Sequence, residues 1–576
     1  MIRVPRMGGL FLAFAVIAML FSMLLFGSSA AAQNSGNFVI GSGNTATADP
    51  PVSHPNEKPC VVQLFSNLEF ADFNIKPFQY APPENCPGPW AKVILVMDFN
   101  ETTGIQFDRT AQVSIGFVNV YYGTTPEPTP ALGPTWHAER DVTDYSALLR
   151  SPQSGEANLG NLVNSEFTGI IFGNAELRFY RANFFNPAPH TADDVLPIPN
   201  ASGGAVIVPS TSSSLAQTFT LPTNIEEAFL DVFAQSQHDD EFWYTCVPND
   251  VTGELQSCGN TAFRETEISI DGQPAGVAPV YPWIFTGGID PFLWAPIPGV
   301  QTLNFVPYRV DLTPFAGVLS NGEPHTVTIG VFNSDNYFLA TGTLLLFEDH
   351  GSKTVTGSVT SNTIDVAPNP DIVENLATAA SGNITGTVSV TSSRKFTVEG
   401  FVKTSHGRVD TKVEQEVKFS NVQTFDITNS DFVQNITQDT TVDSKTTTRD
   451  GLLEIETERH FAYPLTVDIS EPFNADGSLS IITSIDQTFE SDEIDKLEGF
   501  PIFLSHVSNT VSPTDTLLLD ANFNLIGNQD QKSSQQFTSF DTIHGCFSRT
   551  LTAANNVLTG VKNGQGCKNG QDDDQD

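Results

Sequence analysis

The sequence predicts an all-β protein, with two packed antiparallel β-sandwiches followed by a further β-rich region, and three observations lead there. Phe (43), Gly (43) and Pro (37) are abundant while charged residues make up only 16%. Aromatic and β-branched side chains fit pleated, half-buried surfaces, and Gly and Pro break the chain into turns, so this mixture favours many short strands over helices. Short apolar or alternating runs bounded by turn residues recur along the chain. At 576 residues it also exceeds what one hydrophobic core organises, which divides the strands among several units.

Taken in order, the first unit is a secretory signal over residues 1–32: Arg3 and Arg6, an apolar run over 10–26, then Ala30-Ala31-Ala32-Gln33. The charged start, apolar stretch and small residues predict cleavage after Ala32. The apolar run falls short of the approximately 20 residues that span a bilayer, so the mature chain is expected to be exported and to keep no stable membrane span. Residues 33–55 are rich in Gly, Ser, Ala and Pro and are expected to form a flexible lead-in. Runs at 92–98, 113–122 and 175–180 read as strands of a first sandwich over 56–200. After a linker containing Ala201-Ser-Gly-Gly204 and Ser210-Thr-Ser-Ser-Ser214, runs at 228–233, 267–270 and 325–331 place a second sandwich over 201–350. The two blocks are similar in length and strand content, which leaves room for two packed sandwiches of one architecture. From 351 to 568 the composition shifts to Ser, Thr, Val and Asp in alternation, as at 385–391 and 395–399. Such alternation marks antiparallel sheet solvated on one face. The acidic end, 569–576, is expected to be disordered.

A formal charge of −39 argues against a nucleic-acid partner, because a polyanion would be repelled along most of the surface. Six cysteines in an exported chain read as three disulfides, and their spacing suggests the local pairs Cys60–Cys86, Cys246–Cys258 and Cys546–Cys567, although the count alone leaves the connectivity open. No close Cys-x-x-Cys occurs and the ten histidines do not cluster with the cysteines, so no metal is expected. Neither a Gly-rich phosphate loop, nor His-Glu-x-x-His, nor a Gly-x-Ser-x-Gly elbow is present, and no cofactor is expected. Asn100, Asn200, Asn383 and Asn435 fit the glycosylation acceptor pattern and matter only in a host that glycosylates exported proteins. Oligomeric state cannot be read from the residues.

Two places interrupt the strand pattern with chemistry. At Gln106-Phe-Asp-Arg109 an acid and a base sit between strand candidates. At His238-Asp-Asp-Glu-Phe-Trp-Tyr244 three carboxylates and an imidazole crowd against aromatic rings. Aromatic platforms stack on sugar faces while carboxylates move protons, and closely spaced carboxylates raise one another's pKa. The bland alternatives are a surface ion pair for Asp108-Arg109 and a solvated turn for the second cluster.

The order of these residues and their surroundings resemble the peptide N-glycosidase A family. The likeness runs through Lys58-Pro-Cys60, Tyr80-Ala-Pro-Pro-Glu-Asn-Cys86, Gln106-Phe-Asp-Arg109, Thr125-Pro-Glu-Pro128 and Asp141-Val-Thr-Asp-Tyr-Ser146. It continues through Asp240-Glu-Phe-Trp-Tyr244, Phe285-Thr-Gly-Gly-Ile-Asp-Pro291 and Tyr308-Arg-Val-Asp-Leu-Thr-Pro-Phe315. One departure is visible: Phe99-Asn-Glu-Thr-Thr-Gly104 lacks the cysteine expected before the Gly, which touches that family's disulfide arrangement and not the acids. A fainter likeness runs to the bacterial F-type peptide N-glycosidase, a pair of jelly-roll sandwiches with the site between them. Its catalytic aspartate, in Trp-Asp-Arg, looks like Asp108 in Phe107-Asp108-Arg109, and its second glutamate, beside a Trp, looks like Glu241 near Trp243. Its third glutamate falls within 161–168, where Glu166 is the only acid.

The resemblance implies two jelly-roll-like sandwiches and hydrolysis of the side-chain amide of a glycosylated asparagine, with N-glycosylated peptides or glycoproteins as substrates. It implies Asp108 as the base acting on water, Arg109 as a holder of substrate and stabiliser of the tetrahedral oxygen, and Glu241 as a ligand of the first N-acetylglucosamine or an aid to the leaving amine. Glu166, His238, Asp240, Trp243, Tyr244 and Trp294 are the expected surroundings of sugar and peptide. The rival from another class is a secreted glycan-binding or adhesion sandwich without turnover. It would leave Asp108 and Glu241 far apart, whereas an amidase brings both to one groove between the two sandwiches.

Overall fold

The computed structural model describes residues 38–127, 129–199 and 204–564. The expected signal segment, most of the Ala201-Ser-Gly-Gly204 linker, Asn200, Cys567 and the acidic end lie outside them.

The first sandwich is built from two four-stranded antiparallel sheets. One runs in the order Cys60–Phe70, Ile171–Arg181, Trp90–Glu101, Thr135–Asp141, and the other Lys76–Tyr80, Gln153–Leu159, Thr110–Ile115, Val118–Thr124. Counted along the chain these are strands 1-8-3-6 facing 2-7-4-5, the strand order of a jelly roll. Burial alternates along Ile171–Arg181, so Ala175, Leu177 and Phe179 point into the core between the sheets. The Cys60–Cys86 disulfide ties the first strand to the loop before Trp90.

The second sandwich repeats this topology. Val206–Val208, Phe338–Glu348, Ile225–Ser236 and Tyr308–Asp311 form one sheet, with Asp194–Ile198 added to Phe338–Glu348; Ser214–Phe219, His325–Phe332, Glu265–Ile270 and Gln273–Pro279 form the other. Within this block the order is again 1-8-3-6 over 2-7-4-5. Strand Ile225–Ser236 is buried along nearly its whole length because it serves two cores. Leu230 and Val232 point into the second sandwich, and Phe229, with Leu345 and Phe347, joins the core of the first. A strand covered on both faces reads as a continuous apolar run.

Polar contacts stitch the same seam. Asp231 accepts from Tyr145 Oη at 2.9 Å and from Arg309 Nε and Nη2 at 2.7 and 2.9 Å, while Arg309 Nη1 reaches Asp144 at 2.7 Å. The motifs Asp141–Ser146 and Tyr308–Phe315 are thus two halves of one interlock across the sandwiches.

From Thr356 to Asn563 the chain forms a 12-stranded antiparallel sheet with strands as long as Ile384–Thr404 and Gly407–Ile427, 21 residues each. Its inner face does not enclose a core of its own. Val390, Phe419, Tyr463, Ile485 and Leu551 belong to the same buried cluster as Trp243, Phe263 and Tyr281 of the second sandwich. The alternation seen in the sequence is real, but the inner face also carries amides, and Asn421, Gln423 and Gln487 are fully buried.

Residues 38–55, expected to be a flexible lead-in, are instead a packed strap. Ala48 is fully buried and its N–H donates to Gln535 Oε1 at 2.6 Å; Asn509 Nδ2 donates to Asp49 at 2.8 Å. Val52 covers Ile94, Val96 and Tyr180 on the outside of the first sandwich, and His54 stacks on Tyr180. Small side chains let this backbone lie close against a sheet, and side-chain amides satisfy its polar groups.

Candidate active site

The loop Gln106-Phe-Asp-Arg109 leads into strand Thr110–Ile115 at the edge that faces the second sandwich. Its shape is set by Gln106, a buried amide whose Nε2 donates to Leu162 O and Gly169 O at 3.0 and 3.2 Å and whose Oε1 accepts from Phe107 N and Arg109 Nη2. Arg109 is pinned by its backbone, with N donating to Thr125 Oγ1 at 2.9 Å and O accepting from Thr125 N at 2.8 Å. Asp108 therefore points out of the first sandwich toward the second. The Asp108-Arg109 pair is no solvated surface ion pair.

The opposite wall comes from two loops of the second sandwich. Residues 280–307 cross between strands Gln273–Pro279 and Tyr308–Asp311, and within them Gly287 N donates to Asp108 Oδ2 at 2.9 Å while Thr286 Oγ1 donates to Thr125 O at 2.9 Å. The segment after strand Ile225–Ser236 carries Glu241. Gln237 Nε2 donates to Thr110 Oγ1 at 2.5 Å, so this loop too is tied to the edge of the first sandwich. Asp108 and Glu241 stand close enough for the charge on one to act on the other. Loss of solvent, with the Asp108 charge adding to it, pushes Glu241 up to about 7. Burial raises Asp108 as well, opposed by the Gly287 N–H and the Arg109 guanidinium.

A third acid belongs to this cluster. Glu127 is pushed up to about 7 by burial and then by the Asp108 charge, with Glu241 adding a smaller push. Behind them Glu101, 3% exposed and with neither carboxyl oxygen bonded to protein, rises to about 8 through burial, with Arg109 opposing. In the sequence Glu127 is part of Thr125-Pro-Glu-Pro128, a motif of the family resemblance to which no chemistry attaches there. The signal that could have found it was an acid between two prolines one strand pair beyond Asp108.

The other expected residues fall elsewhere. Asp240 is fully buried and structural: it pairs with Arg264 at 2.9 Å and accepts the N–H groups of Asp335, Asn336 and Tyr337. His238 is exposed and pairs with Asp239 at 2.7 Å. Trp243 packs on Phe419 of the long sheet, and Trp294 donates from Nε1 to Gly288 O at 2.9 Å. Both rings, at 1% and 3% exposed, are core residues and not walls of an open groove, because the long sheet covers the loops that carry them. Tyr244 is buried too, but Glu241 acts on its phenol, so it backs that acid. Glu166 is exposed, its N–H donating to Asn164 Oδ1 at 2.7 Å, and its neighbour Phe167 packs on Phe107 at the rim.

The long sheet supports both loops from behind. Asn421 Nδ2 donates to Tyr244 O, Gln423 Nε2 to Cys246 O and Gln434 Nε2 to Thr245 O; Gln487 Nε2 donates to Pro282 O while its Oε1 accepts from Val300 N. The Cys246–Cys258 disulfide closes the first of these loops. Both expected pairings among described cysteines are present; Cys546 is disulfide-bonded and Cys567 lies outside the described residues.

Among the described residues one group, Glu226, Asp349 and His406, brings possible metal ligands within 4.8 Å of one another. It lies away from the acidic cluster, between the second sandwich and the long sheet. His406 contacts Glu226 at 3.0 Å and Asp450 at 3.2 Å, and Asp349 accepts from Ser405 and Gly351.

Residues 50–365 match the family described as Peptide N-acetyl-beta-D-glucosaminyl asparaginase amidase A, and residues 387–465 match the PNGase_A C-terminal domain. The chain is 29% identical over 546 residues to Peptide-N4-(N-acetyl-beta-glucosaminyl)asparagine amidase A of Prunus dulcis, covering 90% of this chain and 92% of that protein. Among solved structures it is similar to PNGase F, a glycosylasparaginase from Flavobacterium meningosepticum, at 16% identity and TM-score 0.34, over 51% of this chain and 96% of that one. It is also similar to PNGF-II, at 13% identity and TM-score 0.34, over 51% of this chain and 66% of that one.

Proposed function

Because this chain belongs to the peptide N-acetyl-beta-D-glucosaminyl asparaginase amidase A family, we propose that it hydrolyses the side-chain amide of glycosylated asparagine in peptides or glycoproteins. The products are an aspartate in the peptide and the intact glycan as a glycosylamine. The observation that carries this reading is that Asp108, beside Arg109 on the first sandwich, accepts the Gly287 N–H of the second and acts by its charge on Glu241 of the second.

Asp108 is the base. Held by one backbone N–H and set beside Arg109, its carboxylate takes a proton from water as the water oxygen attacks the amide carbon, a role that contributes roughly 10²- to 10⁴-fold. Arg109 faces the charge that develops on the carbonyl oxygen, where a donor in a partly dried site acts more strongly than in water. Glu241, on the opposite wall, accepts hydrogen bonds from the first N-acetylglucosamine. A glycan-binding protein without turnover would leave Asp108 and Glu241 far apart, and the charge of Asp108 acting on Glu241 favours the amidase over it.

Export with removal of the leader after about Ala32 fits the disulfides, and no helix among the described residues is long and apolar enough to cross a membrane.

Asp108→Asn keeps the shape and removes the base. Incubated with a denatured glycopeptide, the wild-type protein is expected to convert the glycosylated asparagine to aspartate, read by mass spectrometry. The variant is expected to do so at least about 100-fold more slowly. Wild-type turnover by a folded Asp108→Asn protein overturns the assignment.

A further inference from the structure

We propose that Glu127 is the acid of the reaction, the carboxyl that protonates the departing nitrogen while Asp108 acts as base; this rests on the amidase reading above. Three features place it. First, Glu127 and Asp108 converge on one backbone glycine: a Cβ added to Gly287 would lie 2.1 Å from Glu127 Oε2 and 3.3 Å from Asp108 Cγ. Only a residue without a side chain leaves room there for two carboxyls. Second, the Glu127 carboxyl stands close enough to the backbone of Asp108 for that N–H to act on its charge, so the two acids adjoin at the Asp108 backbone as well as at Gly287. Third, their surroundings differ. A backbone N–H and the Arg109 charge act on both acids, but the Gly287 N–H bonds Asp108 directly at 2.9 Å, whereas Glu127 also faces the charges of Asp108 and Glu241, which together with burial outweigh the groups that favour its charge.

Two carboxyls this close do not both ionise in mildly acidic or neutral medium, so the pair retains one proton. The neighbours just named leave that proton on Glu127, and burial with the Asp108 charge holds it there up to a pH of about 7. The step then balances. The water oxygen bonds to the amide carbon and gives its proton to the Asp108 carboxylate. As the C–N bond breaks, its electron pair stays on nitrogen, which takes the proton of the Glu127 carboxyl. The products are a carboxylic acid and a free glycosylamine, with Asp108 protonated and Glu127 charged. Transfer of the proton from Asp108 to Glu127 restores the starting state. Glu241 stands on the other wall, against Tyr244, without a bond to Asp108 among those described, and remains with the sugar.

The test compares Glu127→Gln and Glu127→Asp with wild type on one denatured glycopeptide, recording kcat, KM and the pH profile. Glu127→Gln keeps size and neutral charge but has no proton to give. Its kcat is expected to fall about 10²- to 10⁴-fold, with KM within about threefold of wild type. The acidic limb of its profile should stay in place, because Glu127 is already neutral when Asp108 ionises. Glu127→Asp keeps an acid on a shorter arm and is expected to recover at least about tenfold over Glu127→Gln, and it decides the matter if the amide variant does not fold. Glu127→Gln within about threefold of wild-type kcat overturns the inference, as does a loss confined to KM, a displaced acidic limb, or equal losses in the two variants. A wild-type protein that releases no glycan sinks the amidase reading itself, whereas an active wild type with an equally active Glu127→Gln sinks only this inference.

Discussion

At the scale of single residues, neighbours in sequence have unrelated jobs. Asp239, Asp240 and Glu241 are consecutive acids, yet Asp239 is exposed beside His238, Asp240 is sealed against Arg264, and Glu241 looks across the seam at Asp108. Asp240 holds the segment before Phe338–Glu348 by three backbone N–H groups, so its removal strands a buried guanidinium and three donors. Breaking a buried pair from one side costs about 3–5 kcal/mol. Asp240→Ala is therefore expected to lose stability on that order in denaturant titration, while Asp239→Ala stays within about 0.5 kcal/mol of wild type. A mild Asp240→Ala would contradict the structural role assigned to it.

At the scale of elements, the site depends on one loop meeting another. Gly287 lies 179 residues from Asp108 in sequence and donates to it directly. A methyl at this position would overlap Glu127 Oε2, the mobile end of a flexible side chain, so the side chain yields and the fold does not. Gly287→Ala is expected to cost about 1 kcal/mol or less in stability and to reduce kcat at least about tenfold by displacing Glu127. Thermal melting and steady-state rates on the same preparation separate the two effects; a fully active variant would show that the carboxyl position at Gly287 is immaterial. The amide ladder on the long sheet works at this scale too. Asn421, Gln423, Gln434 and Gln487 satisfy carbonyls of loops that a two-sandwich protein would leave to solvent.

At the scale of the whole molecule, acids whose charge is opposed by burial set the response to pH. Glu101 and Asp290 are raised to about 8, Glu127, Glu241 and Glu265 to about 7, and Asp49 to about 6, all with burial as the first cause. An acid raised on folding binds its proton more tightly in the folded state. The stability it lends is fully present below about 4, its unfolded value, and is lost progressively as pH climbs from there through its raised value. His137, raised to about 9 by Asp98 and Glu139, acts in the same direction at its own higher window. Depressed carboxylates such as Asp98 act oppositely, contributing above about 4 and losing that contribution only in stronger acid. Maximum stability is expected between about pH 4 and 6, with a higher melting temperature at pH 5 than at pH 8 in one ionic strength. An equal or higher value at pH 8 would mean that these acids ionise in the fold without penalty.

How much of this was legible in the sequence follows from the range of each interaction. Strand runs, the turns between them and the Cys60–Cys86 and Cys246–Cys258 pairs are local, 26 and 12 residues apart for the disulfides, and local patterning specified them. Charge interrupting the strand pattern marks the two places that hold Asp108, Arg109 and Glu241, while the roles expected of these three residues come from the family resemblance and not from the pattern. Trp243 and Trp294 were expected at an open groove because an aromatic ring beside acids looks the same in a sequence whether a sugar or a sheet covers it. The long sheet that covers them begins more than a hundred residues after Trp243, at Thr356. The strap at 38–55 carries the same ambiguity, since small residues suit a loose tail and a tightly laid backbone alike. By itself, then, the sequence determined the all-β class, the two sandwiches and the acids that interrupt them, all properties of neighbouring residues. Only the tertiary structure decided that Glu127 joins those acids, because a carboxyl's partners are set by which distant backbone comes to rest against it.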